Sequence, residues 1–143
     1  MISDNLYLEA EKSGITVLCG ADLPLTKSVS AELPDGEMFI GIDDSAMSTR
    51  AEERVHLAHE LGHCVTGAMY NYRCPVKTRG RCERIADAYA IKKLVDEDEL
   101  RRIIKERDGD ISIWELSEHF DVTEDFMKMA VEFYFESNFS GDR

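Results

Sequence analysis

The chain has 143 residues, 43% of them apolar, long and apolar enough to bury a core without disulfides or a structural metal. Its formal net charge of −12, from 29 acidic against 17 basic residues, opposes non-specific attraction to nucleic-acid backbones and to anionic lipid. No apolar run approaches a membrane span, and residues 1–14 (MISDNLYLEAEKSG) lack the basic-then-apolar order of a secretory signal, so a cytoplasmic protein is expected.

Residues 3–13 predict a short helix with Leu6 and Ala10 on one face and Gly14 ending it. Residues 15–19 (ITVLC) are β-branched and apolar, a strand. Segments 27–33 and 37–43 flank Pro34-Asp35-Gly36, a turn tripeptide, and read as a hairpin. Thr49 and Glu52 form a capping-box pair opening a helix that runs to about Gly67. Residues 68–80 (AMYNYRCPVKTRG) have no period and read as loop. A second helix over 82–95 carries an apolar face made of Ile85, Ala88 and Tyr89 or of Ala86, Ala90 and Leu94. Residues 96–107 start acidic, as a helix dipole favours, and Asp108-Gly109-Asp110 stops them. Two further helices, 112–120 and 124–135, enclose the turn DVT.

Strands first and helices later predict an α+β fold in one domain, with a small N-terminal antiparallel sheet. Residues 1–47 form its strand-rich part, 48–95 a pair of motif-bearing helices and 96–143 a helical tail. The cysteines Cys19, Cys64, Cys74 and Cys82 are not spaced as zinc-knuckle pairs and are expected as thiols.

The chemistry sits in the helix pair. Residues 56–65 read HLAHELGHCV. Residues four apart share a helical face, so His59 and His63 converge on one point. Glu60, turned about 100° from His59, reaches beside that point and suits a base for water. Two histidines are too few for a catalytic zinc, which takes three protein ligands and keeps one position open. The second helix carries Glu83-Arg84-Ile85-Ala86-Asp87. There Glu83 can be the third ligand, and Asp87, one turn on, can accept the free N–H of a metal-bound histidine. The set suits one zinc per chain, and a two-histidine, one-carboxylate set also suits manganese or iron.

The segments RVHLAHELGHCVTG and CERIADAYAIKKLV resemble the ImmA/IrrE family of zinc-dependent endopeptidases. The resemblance runs from about Gly14 to about Tyr134, and includes GITV, MFIGID and the tail. It implies a zincin-like helical core, zinc held by His59, His63 and Glu83, Glu60 as general base, and Asp87 orienting a ligand. It also implies a substrate, a helix-turn-helix repressor of a mobile element or of a stress response, and a phage or integrative-element origin. Many members carry a further histidine soon after the motif, whereas 64–72 here reads CVTGAMYNY.

Such a peptidase needs a donor for the developing oxyanion, and Tyr70, Tyr72 and Tyr89 are the candidates. EMFIGID is either an edge strand that pairs with substrate or an internal strand. Arg73, Lys77, Arg79, Arg81 and Arg84 crowd the expected loop and the helix after it, and can guide an acidic segment. The tail has a helix-turn-helix outline packed through Leu116, Phe120, Val122, Phe126 and Met129, with Trp114 expected as a core anchor. Lys128 is the single basic residue between Glu124 and Glu136, the wrong sign for phosphate, so direct nucleic-acid contact is not expected. The rival function is a non-proteolytic, metal-containing protein that binds and modulates a transcriptional regulator.

Overall fold

The computed structural model describes residues 2–136. Their order is α1 (Ile2–Lys12), β1 (Ile15–Cys19), β2 (Ser28–Glu32), β3 (Met38–Ile42), α2 (Arg50–Thr66), α3 (Val76–Leu94), α4 (Glu97–Glu106), α5 (Ile113–Phe120) and α6 (Glu124–Phe135), with a single 3-10 turn at Asp44–Ala46. This is the α+β arrangement expected.

The hairpin forms as the turn residues require. Gly36 adopts a positive φ of 91°, and its amide donates to Leu33 O at 2.9 Å, closing the turn. The sheet itself is mixed rather than wholly antiparallel. Its order is β1-β3-β2: β2 pairs antiparallel with β3, while β1 pairs parallel with it. The link from β1 to β2 therefore crosses the end of β3. Asp43 and Asp44 tie it down there, accepting from the amides of Leu23 (3.1 Å) and Gly20 (3.0 Å). EMFIGID is accordingly the central strand, and β2 is an edge.

Inward residues of β3, Ile40 and Ile42, are fully buried against Leu57, Ala58 and Leu61 of α2. Helix α1 adds Leu6 and Ala10 to the same core. Thr49 caps α2 by accepting from the Glu52 amide at 3.1 Å; the Glu52 carboxylate reaches one residue further back, to the Ser48 amide, and pairs with Lys27. Gly67, at φ 76°, ends the helix.

Helix α3 begins at Val76, six residues before the sequence suggests, so the last part of the expected loop, residues 76–80, is helix. Gly80 and a run of cations hide this: glycine weakens a helix, and cations at an N-terminus oppose the dipole. Of the two candidate faces, Ala86, Ala90 and Leu94 turn inward, and Ile85 stays 40% exposed. Helices α2 and α3 run antiparallel and very close. A Cβ on Gly62 would lie 2.9 Å from the Ala86 carbonyl oxygen, so only glycine permits this crossing.

The tail joins the same core through Leu116, Phe120, Val122, Phe126, Met127, Ala130 and Phe133. Arg54 of α2 donates to the carbonyls of Phe120 (2.8 Å) and Asp121 (3.0 Å), satisfying the C-terminal end of α5. Trp114 is not a core anchor. It is 56% exposed, because Leu116 and Phe120 occupy the inward face of this two-turn helix. The four cysteines are free thiols, with Cys64 buried. Among the described residues no helix is long and apolar enough to cross a membrane.

Candidate metal centre

Antiparallel packing of α2 on α3 sets His59 opposite Asp87 and His63 opposite Glu83. His59 Nδ1 lies 2.8 Å from Asp87 Oδ1. A carboxylate only accepts, so Nδ1 carries the hydrogen. His63 Nδ1 lies 2.6 Å from the Ala68 carbonyl, so it too carries the hydrogen. Both neutral rings are left with a lone pair on Nε2.

Those lone pairs face each other at 3.2 Å, and each also faces Glu83, at 2.8 Å from His59 and 3.2 Å from His63. With both rings neutral, three acceptors thus converge, an arrangement that a cation held between them would satisfy. The ligand–ligand edge around a tetrahedral zinc, with bonds of ~2.0–2.1 Å, is about 3.3 Å. The observed spacings fall slightly short of that, so a small spread accommodates the ion. These residues are the group of three possible metal ligands found among the described residues.

The acid-base state fits the same need. Burial pushes the His59 imidazolium down, but the hydrogen bond to Asp87 and the charges of Asp87, Glu60 and Glu83 outweigh it, raising His59 from 6.5 to about 9. In the metal-free site a proton takes the cation's place. Glu83 is lowered: burial opposes this, but the Tyr70 hydroxyl and the two histidines prevail.

Of the three tyrosines, the fold brings Tyr70 to the site. Its hydroxyl donates to Glu83 Oε1 at 2.5 Å, and its ring meets His63 edge-on. That hydrogen bond, with burial behind it, pushes Tyr70 up to about 12. Tyr72 is 80% exposed and lies against Arg73. Tyr89 packs beside Gly62 and reaches Glu9 at 3.4 Å, away from the cleft.

Glu60 is buried, not a ligand, and lines the same cleft of about 510 Å³. Ser28 Oγ lies 2.7 Å from Glu60 Oε2 and 2.9 Å from His56 Nδ1. Burial lowers the His56 pKa, which keeps the ring neutral. Sequence reading missed both residues. His56 sits four before Glu60, a same-face spacing that signals it; nothing local marks Ser28, which arrives on a separate strand. The cleft walls come from β2 (Ser28, Ser30) and the link before it (Thr26), α2 (Val55) and, less expectedly, the tail helix α6 (Phe126, Met129).

A family model described as the IrrE N-terminal-like domain of peptidase M78 matches residues 10–132. No curated protein and no solved structure is significantly similar to the chain.

Proposed function

From the premise that the chain belongs to the peptidase M78 family, through its IrrE N-terminal-like domain, we propose that it is a zinc-dependent endopeptidase that cleaves a helix-turn-helix repressor in the cytoplasm. The observation that carries the reading is the convergence of His59, His63 and Glu83 as acceptors beside the buried Glu60. A zinc ion held there supplies Lewis acidity to the scissile carbonyl and to a water.

The chain's own groups do the rest. Glu60 accepts a proton from the attacking water and hands it to the leaving amine. Asp87 holds His59 in the tautomer that leaves Nε2 free, and the Ala68 carbonyl does the same for His63. Tyr70 serves as the oxyanion donor, releasing Glu83 when substrate enters. The free edge of β2, rather than β3, pairs with the extended substrate, since it is the edge strand bordering the cleft.

The cations of α3 suit an acidic segment of that substrate. No acidic residue lies between Glu60 and Glu83, although the chain has 29. Lys77, Arg81 and Arg84 recur on one exposed helical face, at the end where the dipole disfavours them. None has an acidic partner among the described residues, whereas Lys27, Arg50, Lys93, Arg101, Arg102 and Arg107 are all paired.

The test is metal content beside cleavage. Wild type should bind about one zinc per chain, lost in His63→Ala and in Glu83→Ala. Glu60→Gln should keep zinc and abolish cleavage of a helix-turn-helix regulator. Metal lost in His63→Ala alone means that another residue is the third ligand. Full biological activity in Glu60→Gln turns the reading over to the regulator-binding protein.

A further inference from the structure

Ser28 and His56 belong to neither metal-binding motif, yet Ser28 meets the Glu60 carboxylate and His56 meets Ser28. Ser28 opens β2 and His56 sits one turn before Glu60 on α2, so the contact forms only when the sheet packs on that helix. Ser28 is 5% exposed and Glu60 7%. At such burial a polar atom that does not face the cleft needs a partner.

The bonds have one consistent direction. A serine hydroxyl has a single hydrogen, and a carboxylate can only accept. The hydrogen of Ser28 therefore goes to Glu60 Oε2, at 2.7 Å. The Ser28 oxygen is left as an acceptor, so His56 Nδ1, at 2.9 Å, must carry the hydrogen between them. His56 is then the neutral Nδ1–H tautomer. The second carboxylate oxygen, Glu60 Oε1, has no hydrogen-bond partner among the described residues, and Glu60 lines the cleft.

We propose that Ser28 and His56 are positioning residues for Glu60: the chain His56 Nδ1–H to Ser28 Oγ–H to Glu60 Oε2 ties one carboxylate oxygen and presents the other to the cleft. A glutamate side chain has three rotatable bonds, and a loose one spends little time in reach of a water's proton. Tying Oε2 removes that freedom and selects Oε1 as the oxygen that moves the proton. The catalytic meaning of the chain rests on Glu60 being the base; its existence does not.

Both can be read separately. Long-range proton–nitrogen correlation spectra of the zinc-loaded, full-length, isotope-labelled protein report each imidazole tautomer, with His56→Gln assigning the signals. Wild type should show His56 as Nδ1–H. Ser28→Ala should release it toward the Nε2–H form and move the Glu60 carboxyl carbon resonance, while Ser28→Thr, which keeps the hydroxyl, should restore both. An Nε2–H His56 in wild type, or spectra unmoved by Ser28→Ala, overturns the chain. On a cleavable regulator, Ser28→Ala should lower kcat about tenfold with KM unchanged, the loss of one hydrogen bond to a charged group. Full activity with a released tautomer overturns the positioning role. Absent cleavage in wild type defeats the peptidase reading, and the tautomer still decides the chain.

Discussion

His59 Nδ1 and Asp87 Oδ1 lie 2.8 Å apart across the α2–α3 interface, a contact between helices that makes one residue of each motif depend on the other. Asp87 holds the hydrogen of His59 on the side away from the converging acceptors. Asp87→Asn keeps the shape but turns a charged acceptor into a neutral amide. Zinc affinity should fall roughly 10–100-fold without loss of any ligand, as expected when a partner behind a ligand is changed. Competition with a chromogenic chelator measures this; unchanged affinity would show that Asp87 does not orient His59.

The raised pKa of His59 gives the metal-free protein a defined pH response. Its folded value is about 9, against 6.5 for the ordinary group. A raised pKa contributes stability that is complete below about 6.5 and is lost as pH climbs through about 9. Metal-free protein should therefore lose stability between pH 6.5 and 9, on the order of 3 kcal/mol at most. Zinc-loaded protein should not show this decline, because the ion replaces the proton. Thermal melts across that range, with and without chelator, test the sign; a metal-free form that gains stability toward pH 9 contradicts it.

Gly62 is where α2 and α3 touch most closely. An added Cβ would sit 2.9 Å from the Ala86 carbonyl oxygen and 3.1 Å from Tyr89 Cβ. The nearest of these is backbone, so the helices must part. Gly62→Ala should destabilise the fold by about 1–3 kcal/mol. Because His59 and His63 stand on one helix and Glu83 and Asp87 on the other, zinc affinity should fall with it. Calorimetry and metal titration on the same sample would reveal whether the two losses come together.

The cationic face of α3 predicts a salt-dependent effect on substrate capture. Reversing Lys77, Arg81 and Arg84 to glutamate together should raise KM about tenfold at low ionic strength and leave kcat unchanged. The gap should close at about 1 M salt, where the screening length shrinks to ~3 Å. A regulator cleaved equally well by both forms at low salt would mean that the face is only solvated.

Much of this protein is written locally. Thr49, Ser112 and Thr123 cap their helices through bonds to amides three residues on, and the spacing of His59 to His63 needs only the helical pitch. Local chemistry of this kind makes the strands, the hairpin turn, most helix ends and the set of acceptors legible in the sequence. Packing between distant segments was not legible. That β1 pairs parallel with β3 on the side opposite β2, leaving β3 central, goes with Asp43 and Asp44 catching the crossing link. Helix α3 starts at Val76 in spite of Gly80 and of the cations Lys77, Arg79 and Arg81, although its buried residues begin only at Ala86. Tyr70 rather than Tyr72 or Tyr89 reaches Glu83 because of how the 67–75 connection turns back. Ser28 finds Glu60 across 32 positions only because the sheet docks on one helical face. Sequence by itself determined which groups can bind a cation and carry a proton, since those are properties of residue type and helical period; tertiary structure decided which of them meet, since that depends on close packing of segments far apart in the chain.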